Sequence, residues 1–205
     1  MNPPDNNPHN LRPGLFVLKL CFFRDFGSYL FSYEQGVELL YNEVASGKQT
    51  AEAVGPPLVF LMRQSLELGY KFTVSELYRL SGSDYGPDAL NKSLNKFKHS
   101  LSGWHGELKD AYEKVAERFS LSDDERDDFA KHYERTQLGM QEFERLDMGS
   151  FNFRFPTDMK GKLIWSHEAT VDLLALKNQF DESMILLRHT VDVLSPCWET
   201  FESAE

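Results

Sequence analysis

One stretch of this chain, residues 56–76, constrains the fold more than any other. Its apolar and small residues recur at the three- and four-residue spacing of one helix face: Leu58, Leu61, Met62, Ser65, Leu66, Gly69 and Phe72. We therefore predict a mostly buried helix that begins at Pro57, because the first helical N–H needs no partner and proline suits that position.

The same stretch carries three charged residues four positions apart, Arg63, Glu67 and Lys71. On a helix these side chains lie one above another, so Glu67 can pair with both cations. A solvated stripe of ion pairs, worth a few tenths of a kcal/mol per contact, is one interpretation. A polar site that faces a groove is the other, and the apolar neighbours count against a fully solvated stripe.

Composition and charge limit the classes of function. A length of 205 residues favours a single domain with one substantial core. The net charge of −10 repels RNA and DNA at long range, so a nucleic-acid site would need a local concentration of cations. The one basic patch is formed by Lys92, Lys96 and Lys98.

Several functional signals are missing from the sequence. Cys21 and Cys197 lie far apart without a CxxC or a His/Cys cluster, so we expect two free thiols in a reducing cytoplasm and no metal site. Walker, GxGxxG, HExxH and GxSxG patterns do not occur, and no cofactor is expected. No segment approaches the roughly 20 apolar residues of a membrane span, and Lys19 interrupts the apolar run 15–23.

The N-terminal half divides into a tail and helices. Residues 1–14 are rich in Pro and Asn and are expected to be a disordered tail, whereas 15–205 forms a single helical domain. Whether residues 15–23 form a strand or a helix stays open. A capping box at Ser32 predicts a helix over 32–45, and a shorter helix is expected over 89–97.

The C-terminal half gives further helices and one irregular segment. Ser100 is a predicted N-cap, and Ser122 begins a second capping box. Residues 147–165 break the helical period, and alternating phenylalanines predict an extended segment there. A last helix begins at Ser166 or His167 and is stopped by Pro196. The prediction is an all-α bundle of about five helices with one irregular Phe/Arg/Pro-containing loop or hairpin.

Three separate segments together resemble the HEPN-like helical proteins of prokaryotes. They are residues 57–71, the run Lys98-His99-Ser100-Leu101, and Asp147-x-Gly149-Ser150-x-x-Phe153-Arg154-Phe155-Pro156-x-Asp158-x-x-Gly161. In that family a helix with an Arg…Glu…Lys stripe precedes a Gly-His-Asp-Leu turn, and an Arg-Tyr-Pro segment precedes the final helix. The resemblance spans residues 55–194, with Lys98, Ser100 and Phe155 replacing the family's Gly, Asp and Tyr.

The resemblance implies two kinds of function. Many HEPN domains are metal-independent endoribonucleases in which a His moves the 2′-hydroxyl proton and an Arg, separated from the His by four to six residues, stabilises the phosphate. Arg126 and His132 fit that spacing, but about one such match is expected by chance, and the surrounding carboxylates repel phosphate. No His follows Arg63 at the required distance, and His99 is the substitute from the next helix.

We therefore expect a non-cleaving, HEPN-like binding or regulatory component of a prokaryotic stress or phage-defence system. The predicted polar site consists of Arg63, Glu67, Lys71, Lys98, His99 and Arg154. A protein partner or self-association is expected, RNA stays open as a partner, and no membrane is expected. The alternatives are an endoribonuclease that uses Arg126 with His132 or Arg63 with His99, and a structural subunit of a larger complex.

Overall fold

The computed structural model of the chain describes residues 18, 24–82, 87–147, 150–165 and 170–202. Within them the helices are α1 Phe26–Ala45, α2 Ala51–Ser81, α3 Pro87–Phe97, α4 Leu101–Arg118, α5 Asp123–Leu146, α6 Leu173–Val193 and α7 Ser195–Glu202. Five of these helices are long, and α3 and α7 are short. The predicted all-α bundle of about five helices with one irregular segment is confirmed.

Helix α2 lies at the centre of the bundle, against α1, α4 and α6. Gly55 and Gly69 of α2 lie beside Leu173 and Leu187 of α6, so these two helices run parallel. A Cβ added at Gly69 would be 2.8 Å from Leu187 Cδ1, so the contact with α6 at this position favours a glycine. Because α2 has neighbours on several sides, its buried residues extend beyond the one apolar face predicted from sequence.

The start of α2 was predicted too late. The helix begins at Ala51 after the N-cap Thr50, whose hydroxyl accepts a hydrogen bond from the Ala53 N–H at 3.3 Å. Pro56 and Pro57 therefore lie inside the helix. The carbonyls that their missing N–H groups leave unpaired belong to Glu52 and Ala53, which are exposed, so water can satisfy them.

The start of α1 was also predicted too late. Asp25 is its N-cap and forms a capping box with Ser28, whose N–H donates to Asp25 Oδ1 at 2.7 Å. The capping pattern at Ser32 lies inside the helix. By contrast, the predicted N-caps Ser100 and Ser122 are confirmed, and Ser122 forms its capping box with Glu125.

The segment after α5 is irregular, as predicted, but its phenylalanines are not in an extended strand. The Arg154 N–H donates to the Phe151 carbonyl at 3.1 Å and closes a turn over these residues. Farther on, an isolated antiparallel bridge joins Thr157 to Leu163. Local hydrogen bonds therefore override the alternating pattern.

Helix α6 begins at Leu173, after the N-cap Asp172, later than predicted. The proposed starts Ser166 and His167 lie outside the described residues. The helix ends at Val193, and Pro196 lies in the first turn of α7, where its missing N–H costs no helical hydrogen bond.

Other sequence predictions concern residues outside the described part. They include the tail 1–14, Cys21 and, except for Leu18, the apolar run 15–23. Cys197 is a buried free thiol. Among the described helices, none combines the length and apolar character required to cross a membrane.

Candidate functional site

The charged stripe of α2 points into the bundle. The side chains of Arg63, Glu67 and Lys71 are 0%, 4% and 13% exposed. Arg63 Nη1 donates to Glu67 Oε2 at 2.6 Å, and Lys71 Nζ donates to Glu67 Oε1, also at 2.6 Å. These contacts form an internal ion-pair network rather than a solvated stripe, and each charge depends on its partners because water cannot replace them.

The turn between α3 and α4 brings His99 to this network. Lys98 adopts a positive φ of 48°, and its carbonyl accepts a hydrogen bond from Trp104 Nε1 at 3.1 Å. The His99 carbonyl accepts a hydrogen bond from Arg63 Nη2, and His99 Nδ1 lies 3.0 Å from Glu67 Oε1. The His99 side chain is nevertheless 57% exposed, so one edge of its ring reaches solvent.

The protonation of Glu67 determines the tautomer of His99. Burial opposes the charge of Glu67, but the hydrogen bonds and positive charges of Lys71 and Arg63 outweigh burial and keep the pKa of Glu67 below its ordinary value. An ionised carboxylate only accepts hydrogen bonds, so Nδ1 of His99 carries the hydrogen that faces it. In neutral His99 the basic lone pair is therefore on Nε2.

Asp147 completes the network and was not identified from the sequence. It is fully buried at the end of α5, where its carbonyl accepts from Arg63 Nε at 3.2 Å and its Oδ2 lies 3.8 Å from the same nitrogen. Its Oδ1 accepts from the Asn152 N–H at 2.6 Å. Arg63, Glu67, Lys71 and Asp147 together are called the buried charge cluster. The only sequence signal for Asp147 was its place in the family-like motif.

The buried charge cluster also fixes the beginning of the segment 150–165. Arg63 contacts Asp147 just before it, and the neighbouring Gln64 donates from Nε2 to Ser150 Oγ. Ser150 has a positive φ of 60°, a conformation that redirects the chain immediately after the cluster. The polar side chains of α2 therefore determine where the irregular segment packs.

Arg154 is not part of the cluster. Its guanidinium lies over the rings of Phe60 and Phe155, with centroid distances of 5.7 and 5.8 Å. It lines an open, mainly apolar cavity of about 610 Å³ between the start of α2, segment 150–165 and the start of α6. Its lining includes Glu52, Phe153, Arg154, Phe155 and Trp165, and we call this site the α2–loop pocket.

The remaining candidates lie elsewhere. The Lys98 side chain is exposed, and this residue enters the site through its backbone. Arg126 donates to Glu113 Oε2 at 3.1 Å, whereas His132 packs beside His189 with ring centroids 5.5 Å apart. Arg126 and His132 thus contact different partners, and the structure does not bring them together as a pair.

In comparisons with known proteins, the chain matches no family model, no curated protein and no solved structure. Inferences about its function therefore depend on its own residues.

Proposed function

We propose that this chain is a non-cleaving binding component that receives an apolar side chain of a protein partner in the α2–loop pocket. The observation that carries this proposal is the pocket itself, whose volume of about 610 Å³ is in the range of ligand sites in proteins. The setting expected from the HEPN-like resemblance, a prokaryotic stress or phage-defence system in the cytoplasm, is part of the proposal.

The walls of the pocket favour an apolar or aromatic group. Phe155 and Trp165 are 49% and 41% exposed and lie on the lining of the same cavity, where exposed apolar surface marks a binding site. The ring of Phe153 packs against that of Trp165 at a centroid distance of 5.6 Å, which gives the wall a fixed shape. An inserted side chain would cover both exposed rings.

The rim of the pocket favours an acidic group beside that apolar side chain. Within the described residues Arg154 forms no ion pair, and its contacts are with aromatic rings. A carboxylate of the partner can pair with this guanidinium through charge-assisted hydrogen bonds. Glu52 on the same pocket lining disfavours a second acidic group.

In this proposal the buried charge cluster has a positioning role. Arg63 has its donors directed at Glu67, at the His99 carbonyl and at Asp147, so the guanidinium is engaged inside the protein. A fully buried, engaged arginine is unsuited to stabilising an external phosphate, which favours a non-cleaving function. The cluster instead supports the segment that forms one pocket wall.

A selection from a random peptide library on the purified chain tests the proposal. We expect selected peptides to share an aromatic or aliphatic residue next to Asp or Glu, and Arg154→Glu to weaken their binding at least about tenfold, or about 1.4 kcal/mol. Arg145→Glu is the matched control, since Arg145 is an exposed arginine on α5. Binding that Arg154→Glu leaves unchanged would contradict the proposal.

The second candidate, a metal-independent endoribonuclease, is favoured by one observation. His99 directs Nδ1 to the buried Glu67 and has a solvent-exposed side chain, an arrangement suited to a general base that acts through Nε2. The endoribonuclease candidate predicts RNA cleavage that survives chelators and is lost in His99→Ala. His132→Ala is the companion variant for the Arg126 alternative. If the wild-type chain leaves structured and unstructured RNA intact, this candidate fails.

A further inference from the structure

A cluster of potential metal ligands joins α5 to α6, remote from the α2–loop pocket. Asp128 and His132 lie one turn apart on α5, and His189 lies opposite them on α6. One ligand atom from each residue can be chosen so that all three lie within 4.8 Å of one another. His189 is near the end of α6, whereas the pocket residue Leu173 is at its start, about 24 Å away along the helix.

The contacts within this cluster leave coordinating atoms available. His189 Nε2 lies 2.7 Å from Asp128 Oδ2, and the two side chains are 40% and 48% exposed. Nδ1 of His132 is buried and, within the described residues, has no hydrogen-bond partner. A buried imidazole nitrogen normally has a partner, so an unpaired one beside a second His and a carboxylate points to a ligand.

The surrounding charge favours a cation. A cavity of about 420 Å³ adjoins the cluster and is lined by Asp124, Glu125, Asp127, Asp128, Lys131, His189 and Val193. Four carboxylates thus face one lysine, and the whole chain carries a net charge of −10. Glu125 is engaged by the capping box with Ser122, whereas Asp127 is exposed and adds negative potential near the cluster.

We propose that Asp128, His132 and His189 bind one zinc ion. Two imidazoles and one carboxylate suit Zn²⁺ better than Mg²⁺ or Ca²⁺, which prefer all-oxygen coordination. Bonds of about 2.0–2.2 Å require the ligand atoms to move closer together, and the partly exposed side chains of Asp128 and His189 can rotate to do so. Water from the adjoining cavity would supply the fourth ligand of such a site.

The sequence analysis did not identify this site, and no metal was expected there. Asp128 and His132 share a helix face, but a pair of side chains one turn apart is common on helices. The third ligand lies 61 residues beyond Asp128 and reaches it only because α5 and α6 pack together. The packing is antiparallel, with Gly139 beside Gln179 at the other end of the contact.

Calorimetric titration of the chelator-treated full chain with Zn²⁺ alone tests the proposal. We expect one ion per chain, a raised melting temperature, and Co²⁺ substitution that produces the visible absorption bands of a four-coordinate site. His189→Gln and His132→Gln should each weaken binding more than about tenfold and abolish the thermal shift. The matched control is His99→Gln, which changes an exposed histidine outside the cluster.

Three outcomes would overturn the proposal. The first is the absence of one-to-one binding by the wild-type chain, and the second is unchanged affinity in His189→Gln. The third is loss of binding in His99→Gln alone, which would locate the metal elsewhere. If His132→Gln does not fold, the test depends on His189→Gln, because the His189 side chain is 40% exposed.

Discussion

Replacing Arg63 with methionine should destabilise the fold far more than the loss of an ordinary ion pair. Methionine is unbranched and of similar length, so it fills much of the same volume but offers no donors. Among the described residues, the buried Asp147 carboxylate would lose its cation and the His99 carbonyl would lose its donor, whereas the Asp147 carbonyl would keep the Ser150 N–H at 3.1 Å. Glu67 would keep Lys71.

The expected loss of stability follows from the buried groups that lose a partner in Arg63→Met. Breaking a buried ion pair by removing one partner costs about 3–5 kcal/mol. Each buried acceptor left without a donor costs about 1–3 kcal/mol, and these contributions overlap with the ion-pair value. We expect Arg63→Met to lower the free energy of unfolding by about 4 kcal/mol, against a typical total of about 5–15 kcal/mol. Adding Asp147→Asn to Arg63→Met should recover part of the lost stability, because it removes the carboxylate whose ion pair was broken.

Urea unfolding followed by circular dichroism measures these changes, provided that the slope with denaturant stays constant. The control is Arg145→Met, which removes an arginine with a 2.7 Å ion pair to Glu142 but a side chain that is 65% exposed. We expect it to change the free energy of unfolding by less than about 0.5 kcal/mol. Equal effects of Arg63→Met and Arg145→Met would refute the reasoning.

Two further predictions concern acid sensitivity and helix contacts. Burial lowers the pKa of His105 to about 4, so the unfolded chain binds its proton first, and stability should fall by about 3 kcal/mol as the pH drops from about 6.5 to 4. Urea midpoints measured across this range should show a smaller drop in His105→Phe than in the wild type; equal drops would contradict this. Gly139→Ala should cost about 1–3 kcal/mol, because its Cβ would lie 2.9 Å from Gln179 Cβ. The exposed helical Gly106 has open space around it, so Gly106→Ala should stabilise the fold by about 0.5–1 kcal/mol. Changes in melting temperature of the same sign in Gly139→Ala and Gly106→Ala would refute this comparison.

The sequence predicted those features that depend on neighbours along the chain. Ser100 and Ser122 were identified as N-caps because capping involves residues only three positions away. The four-residue spacing of Arg63 and Glu67 likewise predicted their contact. Local patterns gave the wrong helix start where two N-cap candidates lie close together. The start of α1 was predicted at Ser32, whereas Asp25 is its N-cap.

The sequence could not predict features that depend on packing between distant segments. Whether the stripe on α2 faces water or the core depends on how many helices surround α2. Asp147 meets Arg63 across 84 residues, and neither local spacing nor a capping pattern marks Asp147 as buried. Arg154, predicted to join Arg63, instead lies over Phe60 because the turn that begins at Phe151 directs the segment toward the start of α2.

The hydrogen bond between Arg63 and the turn before α4 has an evolutionary consequence. The guanidinium binds the carbonyl oxygen of His99, an atom that every amino acid supplies. The imidazole of His99 is more than half exposed, and Glu67 would keep Arg63 and Lys71 if it were replaced. Lineages can therefore exchange the residue at this position without rebuilding the scaffold. Descendants of one ancestor could gain or lose a solvent-facing base here through single substitutions while the architecture is conserved.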